Sequence, residues 1–125
     1  MRTHESGEDY LETILLLYRK QGYVRSTDIA NAMNYTKASI SRAVKILKDD
    51  DYIYLEPNKM IFLTEKGEKE ALEIYERHEV IAEFLVRVLQ VDDETADQDA
   101  CRIEHVISDS TFQGIKRLVK DAKEQ

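Results

Sequence analysis

One proline, four glycines, one cysteine and no tryptophan occur among the 125 residues. So little proline and glycine argues against a sandwich or a barrel, both of which consume turn residues. A single cysteine excludes an intramolecular disulfide framework. No apolar run approaches the roughly 20 residues that a membrane-spanning helix requires. The opening residues Met1-Arg2-Thr3-His4-Glu5 lack the apolar stretch of a secretory signal, so the cytoplasm is the expected compartment and no membrane partner is expected. Also missing are an HExxH zinc motif, a glycine-rich phosphate loop and a serine-histidine-acid set. The chain therefore does not read as an enzyme with a small-molecule substrate.

What is present favours helices and a buried core: 42% of residues are hydrophobic and 34% are charged. The formal net charge of −7 speaks, as an average, against a nucleic-acid partner, because binding to phosphate is largely electrostatic. The average conceals a segregation. From Tyr35 to Lys48 the basic residues Lys37, Arg42, Lys45 and Lys48 occur with no acidic residue among them. The carboxylates gather instead near the amino terminus, at Asp49 to Asp51 and from Asp92 to Asp99.

Apolar residues at helical spacing predict a helix from Glu8 to Lys20 that stops at Gly22. A second, short helix carries Ile29, Ala30 and Met33 with Ser26 or Thr27 as its cap, and a third is capped by Thr36 with Ile40, Ala43, Val44 and Leu47 facing inward. Two short helices joined by a tight connection at Asn34 and Tyr35 match a helix-turn-helix. The runs Tyr52 to Leu55 and Met60 to Thr64, rich in β-branched and aromatic residues, flank Glu56-Pro57-Asn58-Lys59 and predict a β-hairpin. A long helix to about Leu89 follows, then two more near 93–107 and 110–123. The fold class is thus mainly α: a winged helix-turn-helix DNA-binding domain over residues 1–70, then an α-helical dimerisation and metal-binding domain over 71–125.

A helix that enters the major groove needs small polar groups near its amino end and basic groups to track the backbone. Thr36, Lys37, Ser39 and Arg42 supply both kinds. Arg42 is the candidate for a base contact, since a guanidinium can donate two parallel hydrogen bonds to guanine, while Lys45 and Lys48 suit phosphate. Lys59, in the hairpin turn, can reach a neighbouring backbone. An isolated basic stripe is ordinarily the solvated face of an amphipathic helix; its place as the second helix of a helix-turn-helix, followed by a wing, makes it a DNA-reading surface.

A second constellation points to metal. Cys101, Glu104 and His105 stand at i, i+3 and i+4, which stacks a thiol, a carboxylate and an imidazole on one helix face. Asp9 and Glu12 repeat that spacing in the first helix, and His78 falls in mid-helix. Each group alone has an ordinary structural explanation. Together they offer oxygen, nitrogen and sulfur from three helices, a set that suits Mn(II), Fe(II), Co(II) or Zn(II) better than Ca(II).

Glu8-Asp9-Tyr10-Leu11-Glu12-Thr13-Ile14, Ser26-Thr27-Asp28-Ile29-Ala30, Leu63-Thr64-Glu65-Lys66-Gly67, Arg77-His78-Glu79 and Cys101-Arg102-Ile103-Glu104-His105-Val106-Ile107-Ser108 occur in this order. Over nearly the whole chain this pattern resembles the DtxR/MntR family of metal-dependent transcriptional repressors, in the shorter form without an SH3-like domain. The resemblance implies metal-activated binding to palindromic double-stranded DNA operators by a homodimer that represses metal-uptake genes. It also implies that Asp9, Glu12, His78, Cys101, Glu104 and His105 are metal ligands and that Thr36, Ala38, Ser39 and Arg42 lie in the operator-reading helix. Asp9 matches the manganese-type members and Cys101 the iron-type members, so the ligand set is a hybrid of hard oxygen and soft sulfur, and the cofactor expected is Mn(II) or Fe(II), with Zn(II) or Co(II) as in vitro substitutes. Ala82 and Asp97 replace the ancillary ligands of the iron-type members.

In the mechanism that follows, one cation ties the first helix to the dimerising half. The rival is a metal-independent winged-helix regulator that responds to an organic ligand. The apolar faces of the last three helices, with Phe84, Val88, Val106, Phe112 and Leu118, are the expected pairing surface.

Overall fold

The computed structural model describes residues 5–124. They form one unit up to Leu72 and another from Glu73. In the first, α1 (Glu5–Gln21), α2 (Ser26–Met33) and α3 (Lys37–Asp49) precede a ribbon of β1 (Ile53–Leu55) and β2 (Ile61–Leu63). Helix α4 (Glu65–Arg87) begins there and runs into the second unit, where α5 (Asp93–Ile103) and α6 (Asp109–Lys123) follow. No helix among the described residues is long and apolar enough to cross a membrane.

The first unit is a winged helix-turn-helix. Leu11, Ile14 and Leu15 of α1 are buried together with Val24, Ile29, Ile40, Leu47, Ile53 and Ile61, so each element gives one apolar face to one core. The turn between α2 and α3 is tight because Asn34 adopts the left-handed conformation (φ +57°), which asparagine tolerates better than most residues. Thr36 then caps α3, its Oγ1 accepting from the Ser39 N–H at 3.1 Å. The start of α2 differs from expectation. Ser26 already lies inside the helix, and the carboxylate of Asp28 reaches back to accept from the Arg25 N–H at 2.9 Å, so the backbone donor before the helix is met by an acid three residues on.

The ribbon is antiparallel, with Ile53 opposite Leu63, Tyr54 opposite Phe62 and Leu55 opposite Ile61. Ile53 and Ile61 point into the core, while Tyr54 and Phe62 stack on the other face with centroids 5.5 Å apart. The Ile61 N–H also donates to the Val24 carbonyl at 2.8 Å, which fastens the wing to the segment after α1. Thr64 secures its other end. The Thr64 hydroxyl donates to the Asp51 carbonyl (2.7 Å) and accepts from the Gly67 N–H (3.0 Å), and the Thr64 N–H donates to the Tyr52 carbonyl (3.0 Å). Lys66 donates to the Asp50 carbonyl at 2.8 Å and lies over the Tyr52 ring. Gly67 has to be glycine, since a Cβ there would overlap the Tyr52 carbonyl.

The second unit has its own core of Ile81 and Leu85 from α4, Ala96 and Ala100 from α5, and Phe112 from α6. Ala96 and Ala100, four residues apart, lie on one face of α5 and are both buried in that core. Phe112 thus belongs to the interior (3% exposed) and not to a pairing surface, and Phe84 packs against the same core. Val88, Val106 and Leu118 are exposed. Arg77, buried on α4, donates from Nη1 to the carbonyls of Glu104 (3.3 Å) and Ile107 (3.2 Å) and lies 5.2 Å from the Phe112 centroid. A fixed cation thereby meets the orphan carbonyls and the negative dipole end of α5.

Two stability outcomes follow. Gly67→Ala should destabilise the protein by about 1–3 kcal/mol or more, because the clash is with backbone and has no rotamer escape. Arg77→Met should cost about 1.5–3 kcal/mol by unpairing buried carbonyls while keeping side-chain length. Denaturant unfolding of each variant measures both.

Candidate metal centre and nucleic-acid interface

The donors of the second unit come from α4 and the end of α5. Helix α5 stops at Ile103, earlier than the expected 107, yet Glu104 keeps helical dihedrals (φ −56°, ψ −27°) and its N–H donates to the Ala100 carbonyl at 3.0 Å. The i, i+3 stacking of Cys101 and Glu104 is therefore kept, and His105 enters the turn beyond. Burying Ala96 and Ala100 leaves Asp97, Cys101 and Glu104, at i, i+4 and i+7, to share one stripe of the helix.

His78 of α4 lies against that stripe. Its Nδ1 is 3.3 Å from Glu104 Oε2 and 3.8 Å from Cys101 Sγ, and donor atoms of His78, Cys101 and Glu104 all fall within 4.8 Å of one another. Glu104 is buried, and its other oxygen, Oε1, is 3.2 Å from His105 Nε2. One carboxylate thus divides its two oxygens between two imidazoles. On the far side of His78, Nε2 is 2.7 Å from Asp97 Oδ1.

These spacings can be tested against a metal. With metal–nitrogen and metal–oxygen bonds of about 2.0–2.2 Å and metal–sulfur near 2.3 Å, two donors on one tetrahedral ion stand about 3.3–3.8 Å apart. The His78–Glu104 and His78–Cys101 separations lie in that range. The donor set of the second unit fits a first-row divalent ion. Asp9 and Glu12 are in the first unit, one turn apart on α1.

The reading helix exposes Lys37, Ala38, Arg42, Lys45 and Lys48, with Ser39 half-buried. The Thr36 hydroxyl both accepts from the Ser39 N–H and donates to Ser39 Oγ at 3.0 Å, which commits it to starting the helix. Lys45 pairs with Asp49 at 2.9 Å; both are exposed, so the pair is weak and can yield to phosphate. Lys59 is exposed in the wing turn with φ +69°. Sequence reasoning passed over Tyr35 and Ile46, both about half exposed on or beside α3. Tyr35 sits edge-on to Tyr10 at 6.0 Å. Burial, then the nearness of Tyr35, push the Tyr10 hydroxyl above its ordinary pKa. It also passed over Asp97 as a partner for His78, although the four-residue step to Cys101 was a usable signal, and over Arg77, whose partners are carbonyls that no side-chain pattern reveals.

Residues 2–61 match the profile described as "Iron dependent repressor, N-terminal DNA binding domain", and residues 64–125 match "Iron dependent repressor, metal binding and dimerisation domain". An uncharacterised HTH-type transcriptional regulator of Methanocaldococcus jannaschii is 34% identical over 122 residues, 97% of this chain and 98% of that protein. The HTH-type transcriptional regulator MntR of Lysinibacillus sphaericus is 37% identical over 119 residues, 95% of this chain and 85% of that protein. Among solved structures, the manganese regulator SloR superposes with a TM-score of 0.80 at 26% identity over 96% of this chain, which spans 55% of SloR. With both halves matched and the winged helix in place, the chain belongs to the DtxR/MntR family of metal-dependent transcriptional repressors.

Proposed function

We propose that this protein is a cytoplasmic homodimeric repressor of metal-uptake genes, brought to a palindromic operator by Mn(II) or Fe(II). The observation that carries the proposal is the convergence of His78, Cys101 and Glu104 in a metal-sized cluster at the end of α5. Asp9 and Glu12 complete the set from α1, and His105 adds a nitrogen through its place beside Glu104. Manganese is favoured by the carboxylates and by likeness to a manganese regulator; the thiol of Cys101 favours Fe(II), and Zn(II) or Co(II) serve as substitutes in vitro.

When bound, the cation supplies the positive charge that lets carboxylates from both halves share one coordination sphere. The residues do the rest. Asp9 and Glu12 restrain α1, which packs on α2, α3 and β2, so the helix-turn-helix is held in the posture that two-fold symmetric DNA requires. Reading helices of a dimer must stand about 34 Å apart. Moving the population from 1:99 to 99:1 takes about 5.5 kcal/mol of differential affinity, and a partial shift takes less. Arg42 reads a base, Lys37, Lys45 and Lys48 follow phosphates, and Lys59 extends the contact from the wing.

In fluorescence titration on its own upstream DNA, operator affinity should rise with Mn(II), or with Fe(II) under anaerobic conditions, relative to chelator. Asp9→Ala and Glu104→Ala should each lose the metal response while keeping the circular dichroism of the parent; equal binding with chelator and with metal would overturn the proposal. In the same assay Arg42→Ala should cost about 1–3 kcal/mol on the operator and relax specificity at one base pair, whereas Lys45→Ala should weaken all sequences alike and lower the salt slope by about 1.

A further inference from the structure

We infer that Asp97 is a positioning residue that locks the His78 ring in the tautomer whose Nδ1 lone pair faces Cys101 and Glu104. The inference deepens the proposed metal reading and rests on it.

The argument is one of proton placement. A neutral imidazole carries one N–H, and the atom that holds it is fixed by the better acceptor. Asp97 Oδ1 stands 2.7 Å from Nε2, a short contact of the charge-assisted kind, which assigns the proton to Nε2. Nδ1 then carries the lone pair, and it is the nitrogen 3.3 Å from Glu104 Oε2 and 3.8 Å from Cys101 Sγ. Without Asp97 the proton is drawn to Nδ1, where Glu104 Oε2 would accept it, and the lone pair turns away from the other donors.

Helix α5 holds both sides of the ring. Asp97, one turn before Cys101, takes the outer nitrogen, and Cys101 with Glu104 face the inner one, so a single rigid helix sets tautomer and donor spacing together. A carboxylate behind a ligating imidazole also raises the basicity of the nitrogen that binds, and losing such a partner typically costs 10–100-fold in metal affinity. Asp97 is itself well exposed (69%), so its replacement removes a hydrogen bond without opening the core.

The test titrates Co(II) into the full chain, with the sulfur-to-metal charge-transfer band as the signal, for the parent, Asp97→Ala, Asp97→Asn and His78→Ala. Asp97→Ala should bind 10–100-fold more weakly with unchanged stoichiometry, and Asp97→Asn, whose amide oxygen can accept the same proton, should recover most of the loss. Nitrogen-15 correlation spectra of the metal-free protein, taken at alkaline pH where imidazoles are neutral, should show His78 protonated at Nε2 in the parent and mixed in Asp97→Ala. Parent-like affinity in Asp97→Ala, or an Nδ1–H tautomer in the parent, overturns the inference. So does the loss of one bound ion per subunit in Asp97→Ala, which would make Asp97 a ligand. Failure of the metal reading looks different: the parent binds no Co(II), or His78→Ala binds as the parent does, and the nitrogen-15 spectra still decide the tautomer.

Discussion

A carboxylate buried between two imidazoles is the constraint on which the second unit depends. Glu104 is almost wholly excluded from solvent, and each of its oxygens faces a ring nitrogen, one on His78 and one on His105. Burying an ionisable group is costly unless charge or hydrogen bonding compensates it. The surrounding residues read as the compensation. Arg77 holds the Glu104 backbone, Phe112 packs beside that guanidinium, and Ala96 with Ala100 join α5 to the core that α4 shares. A site of this kind is set by packing first, and its chemistry follows from where the packing leaves the oxygens.

The acidic balance of the chain finds its meaning in the same place. Carboxylates that would repel DNA are kept out of α3, where the exposed positions are basic or neutral up to Asp49. The acids near the amino terminus and at the end of α5 include the proposed ligands Asp9, Glu12 and Glu104. Local partners absorb part of what remains: hydrogen bonds from the Thr95 side chain, then from the Thr95 N–H, hold the Asp92 carboxyl below the usual range, and at Glu83 the upward push of burial is outweighed by hydrogen bonds from Lys123 and Arg87, so its carboxyl is lowered. Net charge is therefore a poor guide to the partner of a protein whose charge is sorted by segment.

The winged helix was legible because its signals are local. Thr36 at a cap, Asn34 in a left-handed turn, and alternation in Tyr52 to Leu55 and Met60 to Thr64 each speak through neighbours in sequence. What escaped depended on distant partners. Ser26 was read as a cap because it is a good capping residue, yet Asp28 reaching back to Arg25 made Ser26 part of the helix. Phe112 was read as pairing surface because apolar periodicity does not separate the core of one subunit from its interface. The end of α5 was set too late, since apolar spacing continues through Val106 and Ile107 whereas the helix closes where Arg77 takes its carbonyls. Among the donors, spacing along α5 was enough to group Cys101, Glu104 and His105, but only the packing of α4 on α5 shows which nitrogen of His78 faces them.

The lone sulfhydryl of the chain is exposed and lies on the donor stripe of α5. One covalent label per polypeptide can therefore go nowhere else, and whatever occupies that stripe will slow the labelling. A maleimide or a colorimetric aromatic disulfide becomes a local gauge of occupancy that needs neither DNA nor a spectroscopically active ion. The same accessibility has a chemical cost: an oxidant that converts the thiol to a sulfenic acid changes a soft donor into a poorer one.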